Sequence, residues 1–303
     1  GYGWDRNSTD KSEPFINYIN TNEIFNSSCK SFDGNTNYFY KNIGIVGVGY
    51  RGTSDLESVI HRYQASNLVF SPYIFLMGRY NKNWKMHFLL RASSDKDSMV
   101  GYGGVPRDIE RFGFETAEIG RSTISYSNTN FSLGYGRGNV IWGGSFNDNV
   151  ILSGLSPAFE RVKLDVSFKK VRFGYFYGFL ESVISGGYEN NVRYLTGKFY
   201  EYSNRKNFII SMGEIVTLYG KNRGIDYSYL NPISFHLENE QNDRTLESNG
   251  NRENAIWFLH ADSFIMNRIR IYLELIVDEF QLDQEDRDEG RGDALGSKIY
   301  LSW

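Results

Sequence analysis

Cysteine is almost missing from this chain. Cys29 stands alone among 303 residues, which excludes an intrachain disulfide and any cysteine-rich metal cluster. Long apolar runs are missing as well. No stretch reaches the roughly 18 residues of a membrane-spanning helix, and the greasiest windows, such as residues 67–77, are broken by polar residues. A helical membrane protein is excluded on that ground. Positive charge is not in excess: Lys and Arg total 33 against 36 Asp and Glu, a net charge of -3, so no basic field invites nucleic acid. The four histidines, His61, His87, His236 and His260, are too scattered for an HExxH or zinc-ligand pattern. No metal or cofactor is expected.

Enzyme motifs are equally scarce. Leu152-Ser153-Gly154 and Ile184-Ser185-Gly186 lack the two flanking glycines of a nucleophile elbow. Gly47-Val48-Gly49-Tyr50-Arg51-Gly52 has GxGxxG spacing, which in a dinucleotide site lets the backbone approach a pyrophosphate. The acidic residue that should close the next strand is absent: Leu68-Val69-Phe70 runs into Ser71-Pro72. These glycines read as a strand end. The neighbouring carboxylates Asp278 and Glu279 face opposite sides of any strand and cannot flank one glycosidic bond together.

What is present is aromatic and β-forming. Tyr and Phe number 22 each and Gly 31, against only 5 Pro, a balance suited to sheets with one apolar and one wet side. Residues 160–181 show the pattern most clearly. Val162, Leu164, Val166 and Phe168 alternate with Arg161, Lys163, Asp165 and Ser167. Beyond Lys169-Lys170 the chain returns through Val171, Phe173, Tyr175, Tyr177 and Phe179, alternating with Arg172, Gly174, Phe176, Gly178 and Leu180. A period of two makes this a hairpin with one greasy face, and arms of about ten residues match a tilted membrane-crossing strand.

Similar signals recur along the chain. Strands are expected at 38–50, 73–80, 84–92, 112–119, 123–127, 130–136, 192–202, 208–218, 255–264, 268–280 and 298–303, beside the central hairpin. Tight polar turns alternate with longer loops, as in outer-membrane barrels, whereas soluble sandwiches favour strands of ~5–6 residues. The fold expected is all-β: a large antiparallel transmembrane β-barrel of the outer-membrane type with minor helical segments, a soluble sandwich being the alternative. Residues 1–36 form a peripheral or loop segment and 37–303 the barrel. Helix is expected at 55–65 and in part of 231–247, and an acidic loop fills 278–293. The opening at Gly1 fits a mature form or a fragment, and strands beyond Trp303 are expected as readily as a last strand ending there.

Several segments carry motifs in a fixed order. They are Gly136-Arg137-Gly138, Trp142-Gly143, Leu152-Ser153, Gly213-Glu214, Arg223-Gly224 with Asp226, Asn231-Pro232 and Asp278-Glu279-Phe280. Taken together, this order resembles the capsule-assembly Wzi-like family of bacterial outer-membrane proteins. The resemblance covers residues 133–280, about half the chain, and rests on order and spacing rather than on any single motif. It implies a barrel in the bacterial outer membrane, in contact with its lipid, that binds or anchors surface (capsular) polysaccharide as a lectin and is not an enzyme.

Sugar recognition needs aromatic faces for the rings and amide, carboxylate or guanidinium groups for hydroxyls. The residues expected to supply them are Tyr135, Arg137, Trp142, Asn147 and Asp148, with Asp226 and Asn231 as a second group. Each also has a bland reading: a turn glycine's neighbour, an aromatic girdle, a cap. Two other functions stand beside the lectin. One is a porin-like channel lined by Arg161, Lys163, Asp165, Arg172 and Arg193. The other is a barrel subunit of a larger surface, secretion or gliding assembly, with other envelope proteins as partners.

Overall fold

The structure, a computed structural model, describes residues 38–49, 69–81, 83–94, 113–114, 116–143, 149–153, 157–185, 189–234, 252–265, 269–278 and 294–302. Residues 1–36, the helix expected at 55–65, most of 231–247, and the acidic loop from 279 onward lie outside them.

The fold is all-β. Twelve strands form one antiparallel sheet in which each is bonded to its neighbours in sequence. They are β1 (Tyr38–Gly49), β2 (Val69–Tyr80), β3 (Trp84–Ser93), β4 (Thr116–Ser127), β5 (Phe131–Gly138), β8 (Phe159–Phe168), β9 (Val171–Ser185), β10 (Glu189–Ser203), β11 (Phe208–Lys221), β12 (Arg252–Ile265), β13 (Ile269–Asp278) and β14 (Ala294–Ser302). Between β5 and β8 the chain forms a separate two-stranded ribbon, β6 (Ile141–Trp142) with β7 (Leu152–Ser153). This up-and-down order is that of outer-membrane β-barrels.

Local chemistry explains the hairpins. At Lys169 and Arg205 the backbone takes φ of 51° and 57°, the left-handed geometry that helps reverse the chain within two residues at 169–170 and four at 204–207. Asn128 and Asn204 each turn a side-chain oxygen onto the following amides. Asn204 Oδ1 accepts from Lys206, Asn207 and Phe208 at 2.9–3.0 Å. Five short connections, 81–83, 128–130, 169–170, 204–207 and 266–268, join the same ends of the strands, and the long connections leave from the other ends, where β9 and β10 are joined by three residues, 186–188.

One expectation needs correction. Residues 112–119 and 123–127 were expected as two strands, yet Thr116–Ser127 is one. Gly120 sits where the β3–β4 pairing slips between Leu89 and Leu90. It marks a bulge, which a glycine and an arginine in sequence imitate as a turn.

Register sorts the side chains into two faces. Met86, Ile124, Tyr135, Val162 and Tyr177 lie in one row across β3, β4, β5, β8 and β9. Among the described residues, the exposed large apolar side chains of the sheet strands all share this face, Tyr300 apart. Aromatics gather along its short-turn rim: Tyr80, Trp84, Tyr126, Phe131, Phe168 and Tyr202. Trp84 and Tyr126 meet edge-on at 5.3 Å. A rim of amphipathic rings beside an exposed greasy band is what a membrane–water boundary selects. The opposite face carries most of the charges of the described strands, and Arg161, Lys163, Asp165, Arg172 and Arg193 fall on it together.

Candidate functional site

Two places hold side chains that the bare sheet does not need. The first is on the inward face, where the β5–β8 connection folds over the sheet. Gly136 lets the connection depart: its φ is +136°, and a Cβ there would stand 1.9 Å from the Ser122 carbonyl oxygen. Trp142, 3% exposed, then packs against three strands. Its ring lies 4.9 Å from Phe176, 5.1 Å from Phe199 and 5.8 Å from Phe258, joined by Val140, Ile151, Phe159 and Ile215 in one buried cluster. Glu274 anchors the far side, accepting the Val150 amide at 2.6 Å and the Tyr272 hydroxyl. Gly143, at φ +117°, leaves room for that carboxylate, since a Cβ would come within 2.0 Å of it.

Charged groups line the wall around this cluster in compensated sets. Asp165 receives Lys163 at 3.0 Å and Arg172 at 2.7 Å, and Arg270 grips Asp262 through two nitrogens at 3.0 and 2.8 Å. Ser211 Oγ and His260 Nδ1 are 3.1 Å apart, a spacing seen in nucleophile–base pairs. The space beside them, lined by Trp142, Phe199, Glu201 and Phe258, is about 10 Å³. That is about the room one water needs. His260 Nε2 and Trp142 Nε1 have no hydrogen-bond partner among the described residues, so the pair has no orienting acid there.

The second place is on the outward face. After β11 the chain folds back over the strands as residues 222–234. Tyr194 donates to the Arg223 carbonyl at 3.1 Å and Tyr175 to the Tyr229 carbonyl at 2.8 Å. Tyr229 is 1% exposed and rests on Tyr175, Tyr177, Tyr194, Val216 and Leu218. Glu253 takes both the Tyr229 hydroxyl and the Arg223 guanidinium. Burial, with Glu253 beside it, pushes the Tyr229 phenol above its ordinary range, so it stays a donor. A single 3-10 turn, Tyr227–Leu230, stands on this base. Asp226 caps it, accepting from Ser228 N at 3.0 Å and Ser228 Oγ at 2.6 Å, while Asn231 closes it through its amide to the Ser228 carbonyl and accepts from Ile233 N at 3.1 Å. Tyr227 projects 81% exposed.

The residues expected to bind sugar are thus dispersed. Tyr135 and Arg137 lie on the outward face of β5, Tyr135 exposed and Arg137 donating to the Ile119 carbonyl at 3.0 Å. Trp142 lies inward in the aromatic cluster. Asn147 and Asp148 lie outside the described residues. Asp226 and Asn231 are brought together, at the two ends of one turn. Tyr227, between them, was not singled out by the sequence. The available signal was an aromatic placed directly after a capping Asp in a polar loop.

No protein-family model matches the chain, and no curated protein matches it. Among solved structures it is similar to OmpT of Vibrio cholerae, an outer membrane protein folded in vitro, at 8% identity over 90% of this chain and 82% of that one, with a TM-score of 0.35. It is also similar to the loop L8 deletion mutant of that protein, at 8% identity over 89% and 88% of the two chains, TM-score 0.34. The likeness is distant and concerns the fold. The all-β, antiparallel class of this chain, that of outer-membrane barrels, is carried by its own strands and faces.

Proposed function

We propose that this chain is a non-enzymatic barrel of the bacterial outer membrane that holds surface polysaccharide at its long-loop side, the role implied by the capsule-assembly resemblance of residues 133–280. The observation that carries this reading is the Tyr227 turn. An aromatic ring 81% exposed stands between Asp226 and Asn231 on a base fixed by Tyr175, Tyr194, Arg223 and Glu253. Exposed rings stack on sugar faces, nearby amide and hydroxyl groups bond sugar hydroxyls, and a fixed base avoids the entropy of ordering a loop on binding. Ser228 and Asn231 are exposed beside the ring.

The test is retention of the purified chain, in detergent, on immobilised surface polysaccharide from its own source. Tyr227→Ala and Asn231→Ala should each weaken retention roughly tenfold, a loss of about 1.4 kcal/mol. The unfolding midpoint should not move for Tyr227→Ala, whose side chain is exposed, and should fall only slightly for Asn231→Ala, which gives up the bond from the exposed Ile233 amide. Failure of the parent chain to be retained, together with unchanged capsule on cells lacking it, would defeat the reading. The inward charged wall favours a channel as the second reading, and conductance in planar bilayers separates the two.

A further inference from the structure

The inward wall matches several of its cations with carboxylates. Arg91 pairs with Glu118, Lys163 and Arg172 share Asp165, and Arg270 holds Asp262. Arg121 and Arg161 have no such partner. No hydrogen bond or ion pair joins either guanidinium to another described residue, and Nε and Nη1 of Arg161 are closed off from water as well. The Phe159 ring, 6.0 Å from the Arg161 Cζ, offers only a weak cation–π contact. Register sets the two arginines near one another. Thr123, Gly136 and Arg161 lie in one row across β4, β5 and β8, and Arg121 is the next inward position along β4. Each charge is close enough to act on the other.

The strand between them is bare. The inward positions of β5 are Ser132, Gly134, Gly136 and Gly138, so β5 puts no side chain between the two forks. The Arg161 guanidinium lies against Gly138, where a Cβ would stand 2.8 Å from Nη1. Trp142 packs elsewhere, on Phe176, Phe199 and Phe258 of β9, β10 and β12. Like charges held together without a counter-charge are costly where water cannot solvate them. A ligand that brings the missing charge removes that cost. We propose that Arg121 and Arg161 form a binding site for a small oxyanion, a phosphate or a carboxylate, held over the glycines of β5 on the inward wall. Guanidinium forks match the paired oxygens of either group, whereas chloride offers a single point of charge. The site is independent of the Tyr227 turn, which lies on the other face of the sheet.

The test is calorimetric titration of the full chain in detergent at fixed ionic strength, with inorganic phosphate and separately with glucuronate, chloride being the reference salt. Saturable binding of at least one is expected, and the stronger of the two tells phosphate from carboxylate. Arg121→Gln and Arg161→Gln should each weaken it roughly tenfold. Neither should lower the denaturant midpoint measured without oxyanion, because each removes a charge that has no partner. Lys163→Gln, whose charge Asp165 already matches, should leave binding nearly unchanged. Should a glutamine variant fail to fold, Arg121→Lys and Arg161→Lys keep the charge and lose the fork, and weaker binding is again expected. Binding of neither probe, or binding unchanged in every arginine variant, overturns the proposal. Equal weakening by Lys163→Gln also overturns it, since the general charge of the wall would then hold the anion. None of these outcomes bears on retention of polysaccharide at the Tyr227 turn.

Discussion

Lys198 and Glu214 stand directly opposite each other on β10 and β11, on the outward face, and pair at 2.9 Å with side chains 1% and 4% exposed. A buried ion pair on a face otherwise given to Tyr175, Tyr177 and Val216 is costly to desolvate and more costly to break. Removing one partner, as in Lys198→Met, should destabilise the fold by about 3–5 kcal/mol, while Lys198→Met with Glu214→Leu should recover most of that loss. Denaturant unfolding in detergent measures both, and equal losses in the single and double variants would show that the pair does not act as a unit. The same residue shows the limits of a period-two reading. Alternation placed Glu214 in a strand, but nothing in sequence said that its cation would be Lys198, because cross-strand register depends on a turn and on side chains far away.

At the scale of elements, the strands were legible and the excursions between them were not. The hairpin of β8 and β9 was readable from Val162 to Phe179 because lipid or core on one side and charge on the other enforce strict alternation. The ends of β9 and β10, which run on to Ser185 and from Glu189, were not, since Glu181 and Asn190 interrupt the pattern. The β5–β8 connection was legible only as glycines around a tryptophan. Whether Trp142 would face sugar, lipid or the inner wall depends on Gly136, Phe176, Phe199 and Phe258 meeting in space, and three of those partners come from other strands. The structure makes that ring the fastening of the connection. Trp142→Ala should cost about 3–5 kcal/mol and release the connection from the wall. Planar-bilayer recordings should then show higher conductance than the parent chain, and unchanged conductance would mean that the connection does not narrow the lumen. The turn at Tyr227 was half legible: Asp226 and Asn231 were found as polar residues of a motif, whereas their action as two caps of one 3-10 turn required the docking of Tyr229 on three tyrosines of other strands.

For the whole molecule, fold class came from properties that survive averaging: alternation, aromatic content, short turns at one set of strand ends. Strands of 8 to 15 residues follow one another in an antiparallel meander, and the exposed large apolar side chains of its described strands keep to one face, Tyr300 apart. Ten residues at ~3.3 Å each, tilted by roughly 40°, span about 25 Å, the height of the apolar band of an outer-membrane barrel. Binding is less averaged, since a few side chains from distant segments decide it. The central claim is therefore about the faces. Met86, Ile124 and Tyr135 form one cross-strand row on the outward face, while Lys85 and Ser125 are paired one step away on the inward face. Single cysteines at these five positions in the Cys29→Ser chain, labelled with a fluorophore and reconstituted in vesicles containing brominated acyl chains, test the claim directly. Strong quenching at positions 86, 124 and 135, with little at 85 and 125, is the predicted result. Equal quenching in both rows, or none in either, would contradict a lipid-facing barrel.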